Sequence, residues 1–219
     1  MARRIIISAC LALLSAPATA QNFQLSFYGG LQTLPHSVVT GNDPAGVGAF
    51  NFTAGWEGNS FRAPVYYGLR GTWWQTEEFG LSLDFAHSKA YADDDTLTST
   101  GFPTLEFTDG INVLTVNALR RFPNEDRRWT PYIGGGIGIA VPYVEVQSTG
   151  GAPETLEYQF GGIAAQFQGG IEYEINESWS VFGEYMMNYV DLDVDLQGGG
   201  TLSTDLITNA FNVGAGFSF

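Results

Sequence analysis

Apolar and polar residues alternate with a period of two over eight separate stretches of this chain. The last stretch, LITNAFNVGAGFSF, keeps Ile207, Phe211, Val213, Ala215, Phe217 and Phe219 on one parity up to the carboxyl terminus. Side chains on a strand point alternately to its two faces, so each stretch predicts a strand with one apolar face. In NFQLSFYGGLQTL, Phe23, Leu25, Phe27 and Leu31 oppose Gln24, Ser26, Tyr28 and Gln32. VYYGLRGTWW sets Tyr67, Leu69, Gly71 and Trp73 against Tyr66, Gly68, Arg70 and Thr72, and FGLSLDFAHSKAY sets Phe79, Leu81, Leu83 and Phe85 against Gly80, Ser82, Asp84 and Ala86. INVLTVNALRRF, YIGGGIGIAVPY, GIAAQFQGGIEY and WSVFGEYMMNY repeat the pattern. No segment after the leader is apolar for long enough to cross a bilayer as a helix.

The connections alternate as well. Those near residues 35–60, 92–108, 147–157 and 191–205 are long, polar and rich in Gly or Asp, whereas QTEE, PNEDRR and INES are short. An even number of ten-residue strands with long loops at one end only predicts an all-β fold: an eight-stranded antiparallel up-and-down transmembrane β-barrel. Its long loops are extracellular, and its short turns and both termini are periplasmic. Trp73, Trp74, Trp129 and Trp179 flank the short turns, as an inner aromatic girdle requires, while Tyr91, Tyr143 and Tyr189 fall near the long-loop ends. One stripe is rich in Phe, Leu and Ile and the other carries Gln, Asn, Arg and Glu, so lipid lies outside and polar groups inside. The last strand must then close the barrel against the first, because an open edge in lipid leaves backbone groups unsatisfied. Its terminal Phe219 also resembles the signal read by the outer-membrane barrel assembly machinery.

MARRIIISACLALLSAPATA reads as a cleaved signal peptide, residues 1–20. The mature chain, 21–219, is expected to be one barrel domain in the outer membrane of a Gram-negative bacterium after Sec-type export. Ile7-Ser8-Ala9-Cys10 resembles a lipoprotein box but has too short an apolar run before it. Cys10 is the sole cysteine, so no disulfide holds the mature chain. Without Arg3 and Arg4, seven basic residues face 23 acidic ones, a net charge of −16. That acidity excludes nucleic acid as a partner. The expected partners are outer-membrane lipids and lipopolysaccharide, and the barrel is expected to be monomeric.

Arg70, Asp84, Glu172 and Glu184 fall on inward parity, and Arg120 or Arg121 could join them. Ionised groups persist in a narrow lumen only when paired and hydrogen-bonded, which makes these an interior structural network and disfavours an open pore. GGGIGIA lacks the Lys and Ser/Thr of a phosphate loop. Its inward Gly134, Gly136 and Gly138 are expected to make room for bulky neighbours such as Tyr132 or Phe182.

The residues suited to chemistry fall at the outer rim. His87 shares the parity of Phe79 and Phe85 and lies about 20 Å above Phe79, at the outer-leaflet boundary. Lys89 and Tyr91 follow as candidate lipid-binding residues, and His36 maps to the same end. His87 with Asp93 and Asp95 form the candidate catalytic set, histidine being a proton shuttle. His36, His87, Asp94 and Asp109 form a candidate divalent-metal set. Asp191, Asp193 and Asp195 make a carboxylate ladder that divalent cations could bridge to lipopolysaccharide. The plainer reading of the same residues is lipid anchors and solvated loop acids. His87-Ser88 points to opposite faces and is not an esterase dyad.

TAGWEG (53–58), YYGLRGTWW (66–74), LDFAHSKAYADDDTL (83–97), LEFTDGINVLTVNALRRF (105–122), TPYIGGGIGIAVPYVEV (130–146) and GGGTLSTDLITNAFNVGAGFSF (198–219) together resemble the proteobacterial outer-membrane proteins known as lipid A oxidase-like. The resemblance implies oxygen-dependent oxidation of the proximal glucosamine of lipid A to 2-aminogluconate with release of peroxide, after loss of the 1-phosphate. No flavin or nicotinamide motif is present, and none is expected on a barrel. The alternative is a non-enzymatic barrel of the OmpA/OmpX type. A small-molecule channel of the OmpW type is disfavoured by the charged interior.

Overall fold

A computed structural model describes residues 23–124 and 126–219; the leader and its cleavage point lie outside the described residues. The chain runs through β1 (Phe23–Thr33), β2 (Ser37–Asp43), β3 (Gly48–Ala54), β4 (Trp56–Glu57), β5 (Tyr67–Trp74), β6 (Phe79–His87) and β7 (Ala90–Ala92). A short helix α1 (Asp94–Thr100) follows, then β8 (Thr104–Phe107), β9 (Val113–Arg121), β10 (Trp129–Ala140) and β11 (Tyr143–Gln147). The last elements are β12 (Thr155–Tyr158), β13 (Gly162–Glu174), β14 (Trp179–Leu196) and β15 (Gly200–Ser218).

Eight of these strands form a ring in the order β1-β5-β6-β9-β10-β13-β14-β15, closed by antiparallel pairing of β15 with β1 from Gln24↔Ser218 to Thr33↔Asn209. The Phe219 amide donates to the Phe23 carbonyl (3.0 Å), so even the last residue is tied into the closure. Outward positions are apolar and exposed, Ile137 at 75% and Phe211 at 71%, while the alternate positions Gln24, Ser26, Thr72, Asn117, Gln168 and Asn188 are buried. This inverts a water-soluble barrel, as a lipid surround requires. Trp73, Trp129 and Trp179 face outward at the periplasmic end, but Trp74 is turned inward, where Arg121 stacks on its ring (4.2 Å).

The four long connections are structured. β14 and β15 continue far above the other strands as one hairpin, and β2 and β3 add to its free edge. A second sheet, β12-β11-β8-β7-β4, completes a roof over the barrel. Along β14 the two faces exchange polarity. Outward Trp179, Val181, Tyr185 and Tyr189 give way to Asp191, Asp193 and Asp195, while inward Glu184 and Asn188 give way to Val190, Leu192, Val194 and Leu196. Ten residues from Trp179 to Tyr189 rise about 25 Å at the usual strand tilt, the height of an apolar membrane band. Above that level the surroundings are water, and the pattern becomes that of a soluble protein. The buried apolar cluster continues from the barrel into the roof, where Phe102 packs against Phe50 (5.0 Å) and Phe52 (5.6 Å), and Trp56 against Phe107 (6.1 Å).

Candidate functional site

Inside the barrel, Arg70 on β5 donates to Asp84 on β6 (2.5 Å) and, through both terminal nitrogens, to Glu184 on β14 (2.8 and 3.0 Å). Tyr28 donates to Asp84 (2.6 Å), and Tyr132 and Asn212 donate to Glu184 (2.7 and 3.2 Å). Each carboxylate thus receives a guanidinium and at least one neutral donor, the condition under which buried charge is tolerated. Glu172 also points into the barrel, as its parity predicts, but does not reach Arg70. It is half-buried nearer the periplasmic end and accepts from Gln24 (2.5 Å), because β13 carries it past the level of Arg70. Arg120 also stays out, pairing with Glu78 at the surface (3.5 Å), and Arg121 donates to the Glu77 carbonyl. Gly134 and Gly136 make room for Leu119 and Asn117 rather than for Tyr132 or Phe182, and Gly138 lies against the Leu114 backbone; the Phe182 ring lies over Gly214.

The sequence-derived rim residues separate into three groups. His87, the last residue of β6, lines an outward-facing cleft with Tyr67, Phe85, Leu114 and Ile139 below it and Asp109 and Tyr158 at its upper lip. The imidazole stacks on Tyr67 (5.1 Å), and its Nδ1 meets Asn112 Oδ1 at 2.9 Å. The Asn112 amide nitrogen is committed to the carbonyls of Asp109, Gly110 and Val141 (3.1, 3.3 and 3.2 Å), so its oxygen faces the ring. His87 Nδ1 must therefore carry a proton, and in the neutral ring the Nε2 lone pair is free. That Nε2 is buried and has no hydrogen-bond partner. Gly110, at φ 95°, lies against the ring where any Cβ would collide with it.

Lys89 and Tyr91 are not at the lipid surface. Both are buried within the roof, where the Lys89 ammonium donates to the Asn59 and Arg62 carbonyls and lies 5.4 Å from the Tyr91 ring. Burial, and next the nearby Arg62 charge, hold the Lys89 ammonium below its usual range. The chain turns inward after His87, and strict alternation could not foresee that.

Asp93 caps α1, its carboxylate accepting from the Thr96 amide (2.8 Å), and hydrogen bonds from Thr96 hold it below the usual carboxylate range. Asp94 and Asp95 are exposed in the first turn of the helix, where negative charge is favourable. His36 is exposed, and its proximity adds a small further lowering at Asp93. Of the four residues expected to bind metal, His87 and Asp109 share the cleft. Among the described residues no group of three or more His, Cys, Asp or Glu side chains could hold a metal ion, so the expected set does not fit one. Asp191 and Asp205 are directly opposed across β14 and β15, with Tyr189 donating to Asp205 (2.7 Å). Sequence reasoning missed Asn112 and Tyr158. Nothing local marks them, because they reach His87 only through the pairing of distant segments.

The family model for the outer membrane protein beta-barrel domain matches residues 6–219. Similar solved structures include Neisserial surface protein A, at 12% identity and a TM-score of 0.50, with 90% of this chain and 97% of that one covered. OprG of Pseudomonas aeruginosa is similar at 13% identity and a TM-score of 0.50, covering 91% of this chain and 97% of that one. At such identities the likeness is one of fold. A search of curated protein sequences finds no match.

Proposed function

We propose, on the premise that this chain belongs to the outer membrane protein beta-barrel family, that its rim cleft takes the sugar–acyl boundary of lipid A and that His87 acts there as a base. The observation that carries this reading is the unpartnered Nε2 of a buried histidine in a cleft that opens toward lipid. Asn112 holds the tautomer, as the orienting partner of a catalytic histidine does. Tyr67, Phe85, Leu114 and Ile139 would receive acyl chains, and Tyr158 and the Asp109 carboxylate would meet sugar hydroxyls.

In the oxidase form of the reading, His87 removes the proton from the anomeric hydroxyl of the proximal glucosamine as the C1–H bond breaks. Two electrons and two protons pass to oxygen, giving hydrogen peroxide, and water opens the resulting lactone to 2-aminogluconate. Asp93 and Asp95 take no part, because α1 uses them at its first turn.

Mass spectrometry of lipid A from cells that express the protein aerobically and supply 1-dephosphorylated lipid A tests this. One added oxygen on the proximal sugar, lost in His87→Gln, is the expected result. Unmodified lipid A despite verified outer-membrane insertion overturns it. The second reading, a non-enzymatic surface barrel, is favoured by the roof, whose second sheet and exposed carboxylates present an acidic face to the outside.

A further inference from the structure

We propose that the loop at residues 60–66 is an anchor for an anionic lipid, with Arg62 holding a headgroup phosphate of the outer leaflet and Phe61 and Val65 entering its acyl layer. The loop is closed on itself by the Tyr66 amide donating to the Ser60 carbonyl (2.8 Å), one residue before β5 enters the barrel. Ser60 Oγ also accepts from the Gln32 amide near the end of β1 (2.8 Å). Both attachments place the loop at the height of the rim, where the β14 pattern puts the membrane surface.

Phe61 is 76% exposed and Val65 49%, an apolar pair continuous with the lipid-facing stripe of Leu69 and Trp73. Between them is the only solvent-facing cation of the extracellular half among the described residues. Arg70 is inside, Arg120, Arg121, Arg127 and Arg128 are periplasmic, and Lys89 is buried. Arg62 makes no ion pair among the described residues, although Glu106 is near enough to feel its field.

The guanidinium is also held in place. It stacks on the Tyr91 ring (4.7 Å), and the Lys89 ammonium grips the Arg62 carbonyl from behind. A fixed, unpaired guanidinium beside exposed aromatic and aliphatic side chains suits a phosphate that is attached to acyl chains. Elsewhere the outer rim presents carboxylates, Asp109, Asp191 and Asp205 among them, which repel such a headgroup.

The test uses the mature protein folded in nanodiscs with divalent cations chelated, and native mass spectrometry to compare retention of bisphosphorylated lipid A with chemically dephosphorylated lipid A of the same acyl chains. The wild type is expected to prefer the phosphorylated lipid about tenfold, the scale of one charge-assisted contact. Arg62→Gln should lose the preference, Arg62→Lys should keep part of it, and Phe61→Ser should weaken both lipids alike. Glu154→Gln, exposed on the roof away from this loop, should leave the preference intact. Equal retention of the two lipids by the wild type, or an undiminished preference in Arg62→Gln, overturns the proposal. Full competition by millimolar inorganic phosphate overturns it too, by showing a site for free phosphate.

Discussion

Arg70 spans the lumen between two strands that lie far apart in sequence, and its worth depends on its carboxylates more than on itself. With Asp84 and Glu184 both buried, removing the guanidinium leaves two carboxylates facing each other without a counter-charge. Arg70→Ala is therefore expected to lower the unfolding free energy by about 3–5 kcal/mol, read from urea titration in lipid vesicles. Replacing all three residues together by Met and Leu should cost much less, because no charge is then stranded. A loss below about 1 kcal/mol in the single variant would mean that water already screens the pair. Parity alone could place Arg70, Asp84 and Glu184 on one face, but not at one height. Glu172 shares their parity and yet bonds Gln24, because register rather than alternation sets the level of each side chain.

At the scale of elements, the acidic run Asp93-Asp94-Asp95 carries helix-starting information. Asp93 is the N-cap, its two neighbours fill the first turn, and Gly101 ends the helix at φ 79°. Asp93→Ala should destabilise this turn by about 1 kcal/mol, seen as faster hydrogen exchange at the amides of residues 96–98. The sign of the pH effect follows from the lowered folded-state value. The cap is fully effective above the ordinary carboxylate range and weakens as the pH falls through the folded value. Asp93→Asn should keep most of the cap and remove that pH dependence. Equal exchange in all three proteins would mean that the roof contacts alone hold α1.

For the whole molecule, the polar plug around Arg70 lies below the apolar core of the roof, where Leu192, Leu202 and Leu206 are fully buried. A solute entering from outside would have to displace both. The mature protein in planar bilayers is expected to show no steady single-channel conductance. Steady openings would require the roof and the Arg70 network to move aside together. What remains accessible is the outer wall at the rim, where the His87 cleft and the Arg62 loop both face lipid.

The sequence alone determined the barrel, because alternation, strand length and the asymmetry of the connections are local properties imposed by a lipid exterior. It also held the height of the membrane surface, in the exchange of polarity between Tyr189 and Asp191. Only the tertiary structure decided that the long connections extend the apolar core above the barrel, that Lys89 and Tyr91 turn inward, and that Asn112 fixes the His87 ring. The reason is that those contacts join segments whose relative register no local pattern encodes. Above the membrane the lipid no longer dictates which face is apolar, and packing between distant residues takes over that choice.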